Sequence, residues 1–168
     1  EREADMAELT REVIHRRLTQ YEISNYAKPG HACRHNCGYW RRDEYAGFGI
    51  GAASLVRESR FRNGDSLTAY LRDPVGCREE LQVLSPQEQM EEFMFLGLRM
   101  TEGVSERDFE DRFGQRLADI YGGVIQANLR DGLLEWQCGE EHGNARRLAL
   151  TERGLDISNY VMAQFLLT

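Results

Sequence analysis

The densest group of side chains that could bind a metal or a cofactor lies between residues 33 and 37, where Cys33, His35 and Cys37 alternate with two polar residues. Thiolate and imidazole groups bind soft metals, so this C-x-H-x-C run could supply three ligands. A structural zinc site needs four, and no second Cys/His pair lies nearby in the sequence, so zinc is not expected. The two cysteines also match the first half of a C-x3-C-x2-C iron–sulfur motif, but the third position is Trp40, so no cluster is assigned to this chain.

The segment from residue 35 to residue 40 contains the residue types that a porphyrin would need. The neutral imidazole of His35 can bind iron, and the Asn36 amide can form hydrogen bonds. Tyr39 and Trp40 offer flat apolar faces. Guanidinium groups, which suit carboxylates such as porphyrin propionates, flank the segment at Arg34, Arg41 and Arg42. The segment therefore favours an anionic, planar, iron-containing ligand.

An alternative remains open for the same residues. They are also compatible with a loop whose aromatic side chains plug the end of a barrel and whose arginines are solvated. Residues 28–62 carry seven basic and three acidic groups, a local charge of +4 in an acidic chain. A local positive charge would attract an anionic ligand, and this is the feature that speaks against the alternative.

The glycine-rich run at residues 47–51 resembles a phosphate-binding loop only weakly. A dinucleotide fingerprint would need glycine at position 54, which is Ser54, and no helical pattern follows at once. Small residues on a strand are better explained as leaving room for a ligand inside a barrel. Neither a Ser/His/Asp order nor a carboxylate pair stands out, so a hydrolase is not supported.

Composition and charge exclude several classes of protein. The 168 residues are 41% hydrophobic, with 28 acidic against 21 basic groups and a net charge of −7. No apolar run approaches the roughly 20 residues of a membrane-spanning helix, and the acidic balance disfavours a nucleic-acid binder. The length suits one domain or a domain and a half. All but one of the basic residues are arginine, and Lys28 is the exception.

The cysteines indicate the cellular compartment of the protein, and the first residues indicate whether the sequence is a fragment. The four cysteines, at positions 33, 37, 77 and 138, are sparse, which fits reduced thiols in a cytoplasmic protein without a signal peptide. Residues 1–18 have the pattern of a helix and lack an initiator methionine, so we expect a fragment of something longer. In a fragment of a barrel, exposed strand edges would favour homodimer formation.

Elements of mixed type should position these residues in the first half of the chain. Alternating β-forming residues predict a strand over 21–26, and a turn follows at Lys28-Pro29-Gly30. The polar, aromatic stretch from His31 to Asp43 has no period and predicts a loop. The remaining predictions for this half are a buried strand over 48–54, a strand over 55–61 and a short helix with Leu67, Tyr70 and Leu71.

The second half shows strong helix signals. Around residues 72–84 the chain is broken by turn residues, and Ser85-Pro86-Gln87-Glu88 then supplies an N-cap, a proline at N1 and a glutamate at N3. Two further helices should begin after Ser105 and near Leu117 and end at Gly114 and at residues 131–132. Two short strands, 133–137 and 147–150, and a final helix after residue 151 complete the pattern.

The order of helices, hairpin and helix is that of a winged-helix unit. We therefore divide the chain into a first domain at residues 1–80 and a winged-helix-like domain at residues 81–168. Acidic and basic groups balance at 13 each in residues 1–84, whereas residues 85–168 hold 15 acidic and 8 basic groups. A winged helix that binds DNA normally presents a basic recognition helix. We expect this one to pack against and cover its neighbouring domain instead.

Several motifs, in order along the chain, resemble one family. They include YEISNYAKPG at 21–30, CRHN at 33–36, the pair Tyr39-Trp40, YAGFGIGA at 45–52, SPQEQMEEF at 85–93 and LTERG at 150–154. The chain resembles the oxygen-independent coproporphyrinogen III oxidase-like radical S-adenosylmethionine (SAM) proteins, in particular their heme chaperone (HemW) branch. The similarity covers about residues 6–167.

The resemblance implies a fold and a set of sites. The parent protein would be a partial (β/α) barrel with a [4Fe–4S] cluster and SAM, followed by a winged-helix-like domain; this chain would hold the last barrel strands and that domain. The heme-handling motif H-N-x-x-Y-W falls on residues His35, Asn36, Tyr39 and Trp40. Ser24 and Ala52 fall on strand ends that would face SAM, and Ser24 stands where the oxidase branch has aspartate, which favours the chaperone branch.

Two departures from the family limit what this chain can do. The cluster-binding loop is absent, so radical chemistry and catalytic residues are not expected here. The family's G-A-H-S is Gly51-Ala52-Ala53-Ser54 in this chain, so the role of that histidine is lost or moved.

We therefore predict an α/β (α+β) fragment of a cytoplasmic heme chaperone that passes heme to acceptor proteins. His35 would be the iron ligand, with Asn36, Tyr39, Trp40 and Arg34 as further heme-binding residues. One alternative is a coproporphyrinogen III oxidase, which carries out an oxidative decarboxylation. The other is a non-catalytic protein-interaction module.

Overall fold

A computed structural model describes residues 9, 13–14, 16–138 and 146–167. Most of the helix predicted for residues 1–18 lies outside these ranges. In the first half of the chain the strands are β1 (Thr19–Glu22), β2 (Asn25–Ala27), β3 (Ala53–Val56), β4 (Ser59–Asn63) and β5 (Arg78–Val83), and the helices are α1 (Arg34–Trp40) and α2 (Leu67–Arg72). In the second half the helices are α3 (Pro86–Gly97), α4 (Glu106–Phe113), α5 (Leu117–Arg130), α6 (Glu152–Asp156) and α7 (Ser158–Ala163), and the strands are β6 (Val104–Ser105), β7 (Leu134–Gln137) and β8 (Arg147–Leu150).

The described strands form three small antiparallel sheets. β1 pairs with β2, the second sheet has the order β3-β4-β5, and the third has the order β6-β8-β7. In the third sheet, Val104 pairs with Leu148 and Leu134 pairs with Leu150. Together with α3, α4 and α5 this sheet gives the helix–strand–helix–helix–hairpin order of a winged helix. The mixed α/β fold class with a winged-helix-like second half is confirmed.

The main hydrophobic core lies in the second half. Fifteen buried residues from Met90 to Phe165 form one cluster, and the side chains of Met94, Phe109 and Leu117 are fully buried in it. Phe93, Phe109 and Phe113 contact one another edge-to-face or tilted, at centroid separations of 4.8–5.7 Å. Burial of large aromatic side chains on this scale explains why the amphipathic helix patterns were reliable here.

The helix boundaries predicted in the second half are confirmed by their caps. The Ser85 hydroxyl accepts a hydrogen bond from the Glu88 backbone N–H, and the Glu88 carboxylate accepts one from the Ser85 N–H, which completes a capping box. The Ser105 hydroxyl caps α4, and Gly114 ends it in the left-handed conformation with φ 66°. The final predicted helix is interrupted at Ile157 and forms two helices, α6 and α7.

The first half departs from the predictions in several places. The stretch predicted as a loop at residues 31–43 contains α1. The single strand predicted over 55–61 is a hairpin, because Arg57 and Glu58 both adopt left-handed φ angles, 49° and 59°, and turn the chain between β3 and β4. The chain break predicted over 72–84 contains β5, whose residues are all exposed. The absence of a buried face explains why β5 has no hydrophobic pattern.

The strand predicted over 48–54 is also wrong. Phe48 is 86% exposed, Gly49 and Gly51 have φ angles of 95° and 68°, and β3 begins only at residue 53. One part of that prediction holds, namely the close approach of another backbone: a Cβ on Gly47 would lie 2.3 Å from the Ala53 carbonyl oxygen. Among the described residues, no helix is both long and apolar enough to cross a membrane.

Candidate functional site

Helix α1 carries the predicted heme motif, and tertiary contacts hold it in place. Its seven residues include His, Asn, Cys and Gly, which are poor helix formers, and its N-cap, Cys33, makes no side-chain capping hydrogen bond. The helix is continued by the Arg41 N–H, which donates to the Cys37 carbonyl at 2.9 Å, and by the Asp43 N–H, which donates to the Gly38 carbonyl at 2.9 Å. Its local sequence therefore predicts a loop, whereas its surroundings stabilise a helix.

An aromatic ladder, made of an exposed histidine and two half-buried tyrosines, begins on one face of α1. The His35 and Tyr39 rings, one helical turn apart, meet edge-to-face with centroids 4.6 Å apart. Tyr39 meets Tyr45 in the same way, also at 4.6 Å. Tyr45 is held by two backbone hydrogen bonds of 2.9 Å with Leu55 at the edge of β3. We call His35, Tyr39 and Tyr45 the aromatic ladder; it offers an exposed imidazole beside two rings.

Tyr45 is the site residue that the sequence did not reveal. It lies six residues beyond Tyr39, outside the H-N-x-x-Y-W motif, and joins the ladder through the bridge to Leu55. A tyrosine close in sequence to the motif was the only available signal.

Trp40 does not share the exposed face with His35. At about 100° per residue, five residues place the two side chains about 140° apart around the helix axis. The Trp40 ring instead lies under the guanidinium of Arg99, 4.3 Å from its centre. Tyr39 and Trp40, whose flat faces were predicted to serve one ligand, therefore lie on different sides of α1. Tyr39 belongs to the ladder, and Trp40 contacts the second half of the chain. Asn36 lies one helical turn before Trp40.

The arginines near α1 are engaged in ion pairs. Arg42 is only 2% exposed and its Nε lies 2.9 Å from a carboxylate oxygen of Glu92, while its Nη2 pairs with Glu58. Arg41 pairs with Glu102 at 3.0 Å. Arg41 and Arg42 therefore do not form the free guanidinium forks that the sequence suggested. Arg34 is exposed at the start of α1 beside the ladder.

Two further arginines of the 28–62 segment are also paired with carboxylates. Arg60 pairs with Glu92 at 2.7 Å, and Arg62 pairs with Asp65. Four of the seven basic residues of the segment thus pair with carboxylates, and two of these carboxylates, Glu92 and Glu102, come from the second half of the chain.

The two cysteines of the C-x-H-x-C run differ in environment. Cys33 is exposed, whereas Cys37 is buried, and burial raises the pKa of the Cys37 thiol. A thiol with a raised pKa is a poor metal ligand at neutral pH, because the thiolate is the ligating form. Within the described part of the chain, no three His, Cys, Asp or Glu residues are grouped so as to hold a metal ion.

Ser24 and Ala52, predicted to face SAM, lie at the ends of different sheets. The Ser24 N–H donates to a Glu22 carboxylate oxygen at 3.0 Å, and the Ala52 carbonyl accepts from the Asn63 N–H at 2.9 Å. The Ser24 N–H and the Ala52 carbonyl are thus already hydrogen-bonded within the chain, and the contact of these two residues with SAM stays a prediction.

Comparisons with known proteins agree with this architecture. Residues 84–157 match the family model of the HemN C-terminal domain. The chain is 33% identical to the heme chaperone HemW of Lactococcus lactis over 169 residues, and 33% identical to that of Bacillus subtilis over 171 residues. Each alignment covers 99% of this chain and 43% of the relative, so the chain spans less than half the length of these relatives.

A solved structure shows the same fold at low sequence identity. The chain matches coproporphyrinogen III oxidase (HemN) from Escherichia coli, described as a radical SAM enzyme, with a TM-score of 0.68 and 14% identity. The match covers 97% of this chain and 40% of that structure. The chain therefore belongs to the family of HemN- and HemW-like proteins, of which it forms a C-terminal portion.

Proposed function

We propose that the chain is the heme-handling portion of a heme chaperone and that the aromatic ladder binds the heme. The observation that carries this proposal is the exposed His35 imidazole, aligned edge-to-face with Tyr39 and, through it, with Tyr45. The similarity to several proteins named heme chaperone HemW supports it.

Each member of the ladder has a distinct role in this proposal. The neutral His35 imidazole donates an electron pair to the heme iron. Tyr39 and Tyr45 provide apolar surface for the porphyrin, and Arg34 is the exposed guanidinium next to His35 that would pair with a propionate. Asn36 stays a heme-binding candidate from the motif alone. Since heme is cargo here, an exposed site suits release to an acceptor protein better than a closed pocket would.

The rest of the functional prediction is part of the same proposal. The chain would act in the cytoplasm as the C-terminal portion of a longer protein, divided near residue 80, and a [4Fe–4S] cluster and SAM would belong to that longer protein. Heme-acceptor proteins would be its partners, and pairing of exposed strand edges would give a homodimer. Ser24 and Ala52 would be the contacts of this chain with SAM in that longer protein.

Heme titration of the full chain tests the proposal. The wild-type chain should develop a Soret band with saturable intensity, and His35→Ala should weaken heme binding at least about tenfold, since tenfold corresponds to about 1.4 kcal/mol and an iron–imidazole bond exceeds it. His31→Ala is the matched control, because His31 is an exposed histidine four residues away whose Nδ1 lies 3.0 Å from the Pro29 carbonyl oxygen. An unchanged band in His35→Ala, or an equal loss in His31→Ala, would rule out the ligand assignment.

A further inference from the structure

Arg99, two residues after the end of α3, contacts both the β1–β2 hairpin and α1. Its backbone carbonyl accepts the Ile23 N–H at 3.0 Å, next to the turn between β1 and β2. Its guanidinium lies over the Trp40 ring at 4.3 Å, and its Nη2 lies 3.8 Å from a carboxylate oxygen of Glu22. Arg99 therefore links the C-terminal half, to which it belongs, with the β1–β2 hairpin and with α1.

The surroundings of Arg99 are buried and its contacts are specific. Glu22 is fully buried, and its other carboxylate oxygen accepts hydrogen bonds from the Ser24 N–H and from the Asn25 amide. The Arg99 side chain is 20% exposed. A cation over an indole ring gains most when both are removed from water, and tryptophan is the aromatic residue that binds cations best.

The indole N–H of Trp40 does not hold the ring in place. Trp40 Nε1 is buried and has no hydrogen-bond partner among the described residues. The described contact of Trp40 with the second half of the chain is therefore made by its ring face, over which Arg99 lies.

We infer that Trp40 is a positioning residue of the proposed heme site and that Arg99 acts on heme through it. Arg99 fixes the Trp40 ring on the inner side of α1. Because the two side chains lie about 140° apart on the helix, this contact turns His35 and Tyr39 outward. Trp40 does not touch the heme. The inference rests on the proposed function, since it names the residues that orient its ligand.

Substitutions at Arg99 separate an effect on the orientation of α1 from an effect on the overall stability of the chain. Arg99→Met removes the cation and keeps an apolar side chain of similar length, and Arg99→Lys restores the charge. Arg112→Met is the matched control, because Arg112 also joins the two halves of the chain, through Glu58 at 3.4 Å, and Glu58 keeps its shorter contact with Arg42 when Arg112 is replaced. Circular dichroism and thermal unfolding establish that each variant is folded.

The first measurement needs no heme. In side-chain NMR spectra, with the His35 signals assigned by comparison with His35→Ala, Arg99→Met should shift the His35 ring resonances. A change in the orientation of α1 alters how Tyr39 packs on Tyr45, which lies outside the helix, and so alters the edge-to-face contact of Tyr39 with His35. Arg99→Lys should restore most of the shift, and Arg112→Met should leave the His35 signals in place. Unmoved His35 signals in Arg99→Met, or an equal movement in Arg112→Met, would overturn the inference whatever the heme result.

The second measurement is the heme titration. Arg99→Met should weaken heme binding roughly three- to thirtyfold, the range allowed by loss of one desolvated cation–π contact, with Arg112→Met within about twofold of wild type. Trp40→Phe, which keeps a ring under Arg99, should stay closer to wild type than Arg99→Met. If Trp40→Phe loses heme binding while Arg99→Met keeps it, Trp40 contacts heme directly and the inference is wrong. If the wild-type chain binds no heme, the proposed function fails, and the NMR experiment alone decides whether Arg99 orients α1.

Discussion

Replacement of Arg42 by methionine should destabilise the chain substantially. Arg42 is 2% exposed and bonded to two carboxylates, those of Glu92 at 2.9 Å and of Glu58. Removing one partner of a buried ion pair costs about 3–5 kcal/mol. Here the cost is smaller, because the glutamate side chains are 34% and 21% exposed and each keeps a second arginine, Arg112 for Glu58 and Arg60 for Glu92. We expect a loss of about 2 kcal/mol in the free energy of unfolding.

Urea and thermal unfolding give the measurement. A loss of about 2 kcal/mol corresponds to a fall in Tm of about 4–8 °C for a chain of this size. The control is Arg107→Met, which removes an ion pair with Asp111 whose side chains are 74% and 70% exposed and should change stability by less than about 0.5 kcal/mol. If Arg42→Met is as mild as the control, the buried pairs do not hold α1 against α3 and the reasoning is refuted.

The same ion pairs make stability depend on pH. The hydrogen bond from Arg42 lowers the pKa of Glu58 below its ordinary value of 4.5, with further help from Arg112. A lowered pKa in the folded state contributes stability that is fully present above pH 4.5 and is lost as the pH falls through the folded-state pKa. Solvent screening keeps the contribution modest, because the Glu58 side chain is 34% exposed. Between neutral pH and acid, Arg42→Met should therefore lose less stability than the wild type; an equal slope would contradict the assignment.

Two further predictions concern glycines and thiols. Gly103 and Gly114 share φ 66°, but a Cβ on Gly103 would lie 2.1 Å from the Leu148 carbonyl oxygen, whereas nothing lies within 4 Å of one on Gly114. Gly114→Ala should therefore cost about 1 kcal/mol and Gly103→Ala clearly more in urea unfolding; equal losses would show that the contact is relieved cheaply. In maleimide labelling followed by mass spectrometry, Cys33 should react at least about tenfold faster than Cys37, which is buried and has a raised pKa; comparable rates would contradict the described burial.

The second half of the chain could be predicted from sequence because its signals are local. Ser85 and Glu88 lie three residues apart and cap each other, and Gly114 ends α4 without help from elsewhere. The apolar positions of α5 recur at helical spacing, and Leu117, Tyr121 and Ile125 are buried together. Because local caps and periodicity agree with the tertiary packing here, the sequence pattern is sufficient to predict these helices.

The first half could not be predicted in the same way, since its elements depend on distant partners. Helix α1 has poor helix formers and no side-chain cap, and it is held by contacts of Trp40 and Arg42 with residues more than 45 positions away. Tyr45 is placed in the ladder by Leu55, which no spacing rule connects to the motif. The residue types at 35–40 suggest a heme-binding site. Only the helical conformation places His35 and Trp40 on different faces.

Ion pairs between the two halves of the chain change how the basic segment is interpreted. A basic segment in an acidic chain first favours an anionic ligand, yet Glu92 pairs with both Arg42 and Arg60, and Glu102 pairs with both Arg41 and Arg147. Two carboxylates of the acidic second half thus hold the basic segment of the first. A winged helix whose carboxylates serve this purpose needs no basic recognition surface. In the proposed function, the winged helix would contribute by fixing α1, which would leave the aromatic ladder and Arg34, rather than the whole basic segment, to contact the heme.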